Sequence, residues 1–171
     1  AGNAALTPTP PLIHIVTAAI EKIVPTSAHA LSLLRLLVRS ATGGELTQYT
    51  TFHCGPKRPG DADGPEEMHI VLVDNGRTRM LDNEFREMLR CIRCGACMNH
   101  CVVYRQIGGH AYGGTYPGPM GAVLTPVLDG LAQSRDLPHA CTMNGRCEEV
   151  CPVQIPLKTL LKAWRVRTWD E

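Results

Sequence analysis

The sequence predicts an α+β protein in two parts: a short α/β portion over residues 1–80 and a helical portion over residues 81–171. Three observations carry this reading. Apolar, strand-like runs flank one amphipathic helical segment in the first half. Apolar residues at helical spacing recur in the second half. Seven of the eight cysteines fall between Cys91 and Cys151, and only Cys54 stands apart. With 171 residues the chain can form one domain or two small ones with modest cores.

The elements follow in order. Residues 12–19, LIHIVTAA, form an apolar β-rich run that predicts a buried strand. Pro25-Thr26-Ser27 opens a helix over 28–39, whose residues Leu31, Leu33, Leu34, Leu37 and Val38 make a broad apolar stripe assigned to the core. Gly43-Gly44 stops it. QYTTFHC, 48–54, predicts a second strand, and GPKRPGDADGP, 55–65, a polar turn region. MHIVLVD, 68–74, predicts a third strand, its continuous apolar run implying cover on both faces. Asn75-Gly76 is a tight turn. Three strands make a thin sheet with exposed edges, and the chain begins without Met, so a longer protein is expected to surround this piece. Leu81, Phe85, Met88, Leu89 and Ile92 predict a helix feeding into the first cysteines. Residues 108–121, with six glycines and two prolines, predict an irregular loop. Short helices are expected over 124–132 and over 157–165, the latter carrying Leu157, Leu160, Leu161 and Trp164 on one face.

Composition narrows the function. A formal net charge of +1 creates no field that favours nucleic acid or a membrane surface. The first 20 residues contain Pro8, Pro10 and Pro11 among polar residues, which suits neither a signal peptide nor a membrane span. Clustered cysteines in an unexported chain point to metal over disulfides, and to the cytoplasm.

The cysteines repeat. CIRCGACMNHCV, 91–102, lies over CTMNGRCEEVCP, 141–152, at a shift of 50 residues. Cys91, Cys97 and Cys101 face Cys141, Cys147 and Cys151, while Cys94 faces Asn144. The first copy is a complete C-x2-C-x2-C-x3-C run, the spacing of two-cluster bacterial ferredoxins, in which each fourth cysteine serves the other cluster. One cluster is then assigned to Cys91, Cys94, Cys97 and Cys151. The other falls to Cys101, Cys141 and Cys147, as a 4Fe-4S or 3Fe-4S centre with Asn144 at its fourth corner. Gly95 and Gly145 allow the backbone to approach the cluster without a Cβ. Tetrahedral zinc, the alternative, usually draws on two separated pairs, and two runs of closely packed cysteines, the first with three within seven residues, suit it poorly.

CIRCGACMNHC, VYRQIGGHAYGGTYPGPMGAVLTP and RCEEVCPVQIPL resemble the iron–sulfur protein of bacterial lactate utilisation, the lactate-utilisation protein B family. IEKIVPT (20–26), LLRLLVRSATG (33–43) and DGPEEMHIVLVDNGR (63–77) extend the resemblance over nearly the whole chain. It implies a partial domain of the NagB/RpiA/CoA-transferase-like kind over 1–80, then a helical two-cluster ferredoxin domain over 81–171. It also implies partner subunits, with electron donor and acceptor proteins, in oxidising L-lactate to pyruvate. Two residues depart from the family pattern: Asn144 stands for cysteine, which bears on the second cluster, and Val102 for proline.

Other residues get plainer readings. Cys54 is expected as a buried structural thiol. His14 and His69 read as core or edge histidines within strands, and no carboxylate or hydroxyl stands at telling spacing from them or from His53. His110, near Tyr112 and Tyr116, is a candidate for contact with a cluster or partner. Of Arg90, Arg93, Arg105 and Arg146, most are expected as solvated charge, with one or two near enough to raise a cluster's potential. GGHAYGG lacks the GK[ST] of a phosphate loop. Three functions compete: an electron-transfer subunit, a metal-stabilised interaction module without redox role, and an α/β half that binds the acid substrate. Catalytic residues are not identifiable.

Overall fold

The computed structural model describes residues 13–47 and 50–170. In the first half, β1 (Ile13–Ala19) and β2 (Glu67–Val73) pair in parallel, with Ile13 opposite Glu67 and Ala19 opposite Val73. Between them runs α1 (Ser27–Thr42). Thr26 caps it by accepting from the His29 N–H, and Gly43 ends it in the left-handed conformation at φ 75°.

Four expectations fail here, the first being that β1, read as a buried strand, leaves Ile13 and Ile15 exposed. Among the described residues of the 48–54 run, 50–54 form no strand, and residues 48 and 49 lie outside the described set. The sheet therefore has two strands, and no third element pairs with it among the described residues. β2 is not covered on both faces either: Ile70 is 63% exposed and Leu72 is exposed as well. An apolar run records the demand for cover, and the described residues offer no layer to meet it. α1 is likewise no core helix, since none of its residues is fully buried. Leu33, Leu34 and Leu37 instead face an apolar cavity of about 480 Å³, shared with Leu89, Ile92 and Val153 of the second half.

The core lies in the second half. After Gly76, which turns the chain at φ 81°, two 3-10 stretches (Arg77–Met80 and Glu84–Arg90) replace the single helix expected before the cysteines. Asn83 caps the second by accepting from Phe85 N–H at 2.9 Å. Their residues Met80, Phe85 and Met88 are buried. Next come α2 (Ala96–Asn99), α3 (Val102–Ile107), a 3-10 turn (His110–Tyr112), α4 (Gly118–Asp129), α5 (Asp136–His139), α6 (Arg146–Glu149) and α7 (Leu157–Asp170).

α4 and α7 pack together at the centre. Trp164 of α7 stacks on Phe85, ring centroids 4.1 Å apart, and donates its indole N–H to Val123 O of α4 at 2.9 Å. Leu157, Leu160 and Leu161 are buried beside it, as their spacing predicts. α4 begins six residues before the expected 124, inside the glycine-rich segment assigned to loop. Pro119 sits in its first turn, where a missing N–H costs nothing. Gly121 lets α4 close on the preceding loop, for a Cβ there would stand 1.5 Å from Tyr116 O. Glycine here signals tight packing, not mobility.

Candidate iron–sulfur site

The two cysteine runs fold alike. Gly95 and Gly145 both turn left-handed, at φ 80° and 84°, and each starts a single helical turn, α2 or α6. Met98 N–H donates to Gly95 O, and Glu148 N–H to Gly145 O, both at 2.9 Å. Two residues before each glycine, Arg93 and Met143 are left-handed as well, at φ 62° and 59°. Such conformations are uncommon for residues with a Cβ. Their recurrence at the same place in both loops marks a shared requirement: to aim backbone N–H groups and thiols inward.

The thiols gather as this backbone directs. Cys91, Cys94 and Cys97 of the first run and Cys151 of the second line one small apolar cavity of about 40 Å³, with Gly95, Met120 and Ile155. Cys147 is close enough to Cys141 and Cys101 for their charges to act on it, and Cys97 is close enough to Cys147 for the two groups to feel each other. α2 and α6, the helical turns of the two runs, pack on one another. All eight cysteines are free. Among the described residues, no three His, Cys, Asp or Glu side chains converge closely enough to hold a single metal ion. The thiols of Cys91, Cys94, Cys97 and Cys151 line a space instead, which suits a multi-iron cluster.

Backbone amides serve the sulfurs. Met143 N–H donates to Cys141 Sγ at 3.3 Å, Ile155 N–H to Cys151 Sγ at 3.4 Å and Tyr104 N–H to Cys101 Sγ at 3.5 Å. Arg93 N–H serves Cys91, and Met120 N–H, in the first turn of α4, serves Cys97. Burial acts the other way. It raises the Cys91 thiol and pushes Cys97 up to about 12 and Cys147 up to about 11. Without a metal these thiols would stay protonated; bound iron would stabilise them as thiolates. The donor set thus fits an iron–sulfur group.

Cys54, expected buried, is exposed, because the segment around it forms no strand that could carry it inward. His14 stacks edge-on against His53 at 4.7 Å, and His69 pairs with Glu67 on the exposed face of β2. His110 is exposed on its 3-10 turn. Arg146 pairs with Glu149 at 2.7 Å, both exposed, which is the solvated charge expected of it.

Arg93 behaves differently. Its guanidinium lies 4.1 Å over the Tyr116 ring, donates to Met120 Sδ at 3.3 Å and reaches Glu21 Oε1 at 3.4 Å. Glu21 Oε2 also stands 2.8 Å from Arg77 Nε, in charge contact without an aligned hydrogen bond. The Lys22 ammonium donates to Cys91 O. Burial, and then the charge of Arg93, push the Lys22 pKa below its ordinary value. Sequence reasoning missed Glu21 and Lys22 as residues of this site. Local spacing carries no signal for partners about 70 residues away.

Tandem cysteine runs with matching left-handed turns, thiols drawn from both runs along one cavity and N–H groups on their sulfurs make up the kind of site an iron–sulfur protein has. A family model described as "4Fe-4S dicluster domain" matches residues 87–155, and one described as "LUD domain" matches residues 1–73. The chain is 53% identical over 160 residues to the "uncharacterized electron transport protein YkgF" of Escherichia coli, covering 94% of this chain and 34% of that protein. It is 52% identical over 160 residues to lactate utilization protein B of Shouchella clausii, with the same coverage. To lactate utilization protein B 1 of Bacillus mycoides it is 52% identical over 170 residues, 99% of this chain and 35% of that one. The chain therefore joins a LUD-domain segment to a 4Fe-4S dicluster domain and is a homologue of lactate utilization protein B over nearly all its own length. It spans about a third of the length of the curated relatives it matches. No solved structure matches it.

Proposed function

We propose that this chain is the iron–sulfur electron-transfer portion of a system that oxidises L-lactate to pyruvate. Its cluster ligands are Cys91, Cys94, Cys97 and Cys151 for one 4Fe-4S group, and Cys101, Cys141 and Cys147 for a second group, 4Fe-4S or 3Fe-4S. The observation that supports this most is the single cavity lined by three cysteines of the first run and the last of the second. That crossed set is what the ferredoxin spacing requires. Bound there, the clusters supply one-electron chemistry. The protein's part is to hold the thiols in an apolar pocket, donate N–H groups to their sulfurs and keep water away.

The names of the relatives supply the substrate, and the removal of electrons from lactate falls to other subunits or to chain beyond these 171 residues. Donor and acceptor proteins are the partners. The first half belongs to a NagB/RpiA/CoA-transferase-like layer completed by more chain, a reading supported by the exposed two-stranded parallel sheet. A cytoplasmic setting suits eight unpaired thiols. Among the described residues no helix is long and apolar enough to cross a membrane.

The test is spectroscopic. The anaerobically reconstituted chain should show visible absorption that dithionite bleaches and an added acceptor restores. Lactate should bleach it only with the partner subunits present. Bleaching by lactate alone would move substrate oxidation onto this chain, and absorption that dithionite leaves unchanged would leave a structural metal module.

A further inference from the structure

The turn after β1 carries two charged residues that reach the first cysteine loop from another part of the chain. Lys22 holds the Cys91 carbonyl, and Glu21, its side chain 5% exposed, holds Arg77 and Arg93. Arg93 lines the same cavity as Cys91, Cys94, Cys97 and Cys151. Two arginines thus meet one carboxylate beside that cavity while a lysine sits on the Cys91 carbonyl, an excess of positive charge in partly dry surroundings.

The second loop separates what is general from what is special. There Arg165 of α7 donates to Cys141 O, as Lys22 does to Cys91 O, so a cation on the first cysteine's carbonyl is common to both loops. The counterpart of Arg93 is Met143, uncharged and in the same left-handed conformation. Arg93, with its carboxylate partner from the first half, is what the first loop has and the second lacks.

We propose that Lys22 and Glu21-held Arg93 set the reduction potential of the cluster on Cys91, Cys94, Cys97 and Cys151, raising it, so that the LUD-type half tunes this cluster electrostatically. The proposal rests on the ligand set given above. An electron arriving at a cluster adds one negative charge, and a cation held nearby in low dielectric stabilises the reduced form. Glu21 acts both ways: it positions Arg93 and offsets part of its charge. These are positioning residues, as none of them ligates iron.

The test is a redox titration of the full, anaerobically reconstituted chain, followed by electron paramagnetic resonance so that the two clusters are read separately. Arg93→Gln and Lys22→Gln should each shift one cluster's midpoint downward and leave the other unmoved. Arg93→Lys should restore much of the shift, and Glu21→Gln should move the same cluster upward. Met143→Arg should raise the other cluster, without touching the first loop. Unmoved midpoints in Arg93→Gln and Lys22→Gln, with clusters intact, overturn the proposal. If those variants lose the cluster, an unmoved midpoint in Met143→Arg overturns it. A natural chain that binds no iron and sulfide overturns the ligand assignment instead.

Discussion

Cys94 and Asn144 hold the same position in two loops of matching backbone, each just before a left-handed glycine that opens one helical turn. Cys94 lines the first cavity, whereas Asn144 is exposed and its Oδ1 accepts from Arg146 N–H at 3.1 Å, capping its own loop. A neutral amide is a poor substitute for thiolate on iron. The cluster on Cys101, Cys141 and Cys147 should therefore lose iron at this corner and show a 3Fe-4S signal after mild oxidation. Asn144→Cys should raise bound iron and suppress that signal. Iron assays with oxidised-state paramagnetic resonance check this; equal iron, held equally firmly in both proteins, contradicts it.

Gly121→Ala should destabilise the chain sharply. The new Cβ would lie 1.5 Å from Tyr116 O, a backbone atom that cannot swing aside. Forcing α4 off the Tyr116 loop should cost on the order of 3 kcal/mol. Gly113→Ala is the control: at φ 70° with open space around it, it should cost about 1 kcal/mol from backbone strain alone. Denaturant titrations of both variants compare them directly.

Trp164 ties α7 to α4 and to the 3-10 stretch carrying Phe85. Trp164→Ala should cost about 3–5 kcal/mol, as for other buried aromatic truncations. Trp164→Phe keeps much of the stacking but loses the indole hydrogen bond to Val123 O, for about 1 kcal/mol. A loss in Trp164→Ala of under about 1 kcal/mol on denaturant titration would show that this joint is not where the core is held.

Glu21 gives the junction between the halves a pH signature. Burial alone would raise its pKa, but its own backbone N–H, Arg77 and Lys22 together bring it below the ordinary 4.5. A carboxyl whose folded pKa is depressed stabilises the fold above its unfolded pKa, and that stability fades as pH falls through the folded value. The stability difference between the natural chain and Glu21→Gln should thus be full above pH 4.5 and shrink below it. Stability curves of both proteins across that range provide the check; a constant difference excludes an ionised Glu21 at the junction.

The meeting of Cys91, Cys94, Cys97 and Cys151 on one cavity was legible in the cysteine spacing, because short-range geometry dictates how closely spaced thiols present themselves and the 50-residue repeat relates the two runs. The helical stripe of Leu157, Leu160, Leu161 and Trp164 was legible for the same local reason. The misreadings share one cause. The 48–54 strand, the two-sided cover of β2 and the burial of Cys54 all assumed neighbours that local pattern cannot supply. The start of α4 was hidden because Gly118 and Gly121 read as loop residues, while in the fold they permit close approach to Met98 and Tyr116. Glu21 and Lys22 act on the Cys91 loop across some 70 residues, a relation visible only in three dimensions.

The central claim is that these cysteines hold iron–sulfur clusters, and one measurement meets it most directly. The chain, reconstituted without oxygen and freed of excess reagents, should be assayed for iron, acid-labile sulfide and zinc. Iron and sulfide should be found in near-equal amounts, with iron lost or much reduced in Cys97→Ser, whose thiol lies in the shared cavity. Stoichiometric zinc with no sulfide would contradict the account.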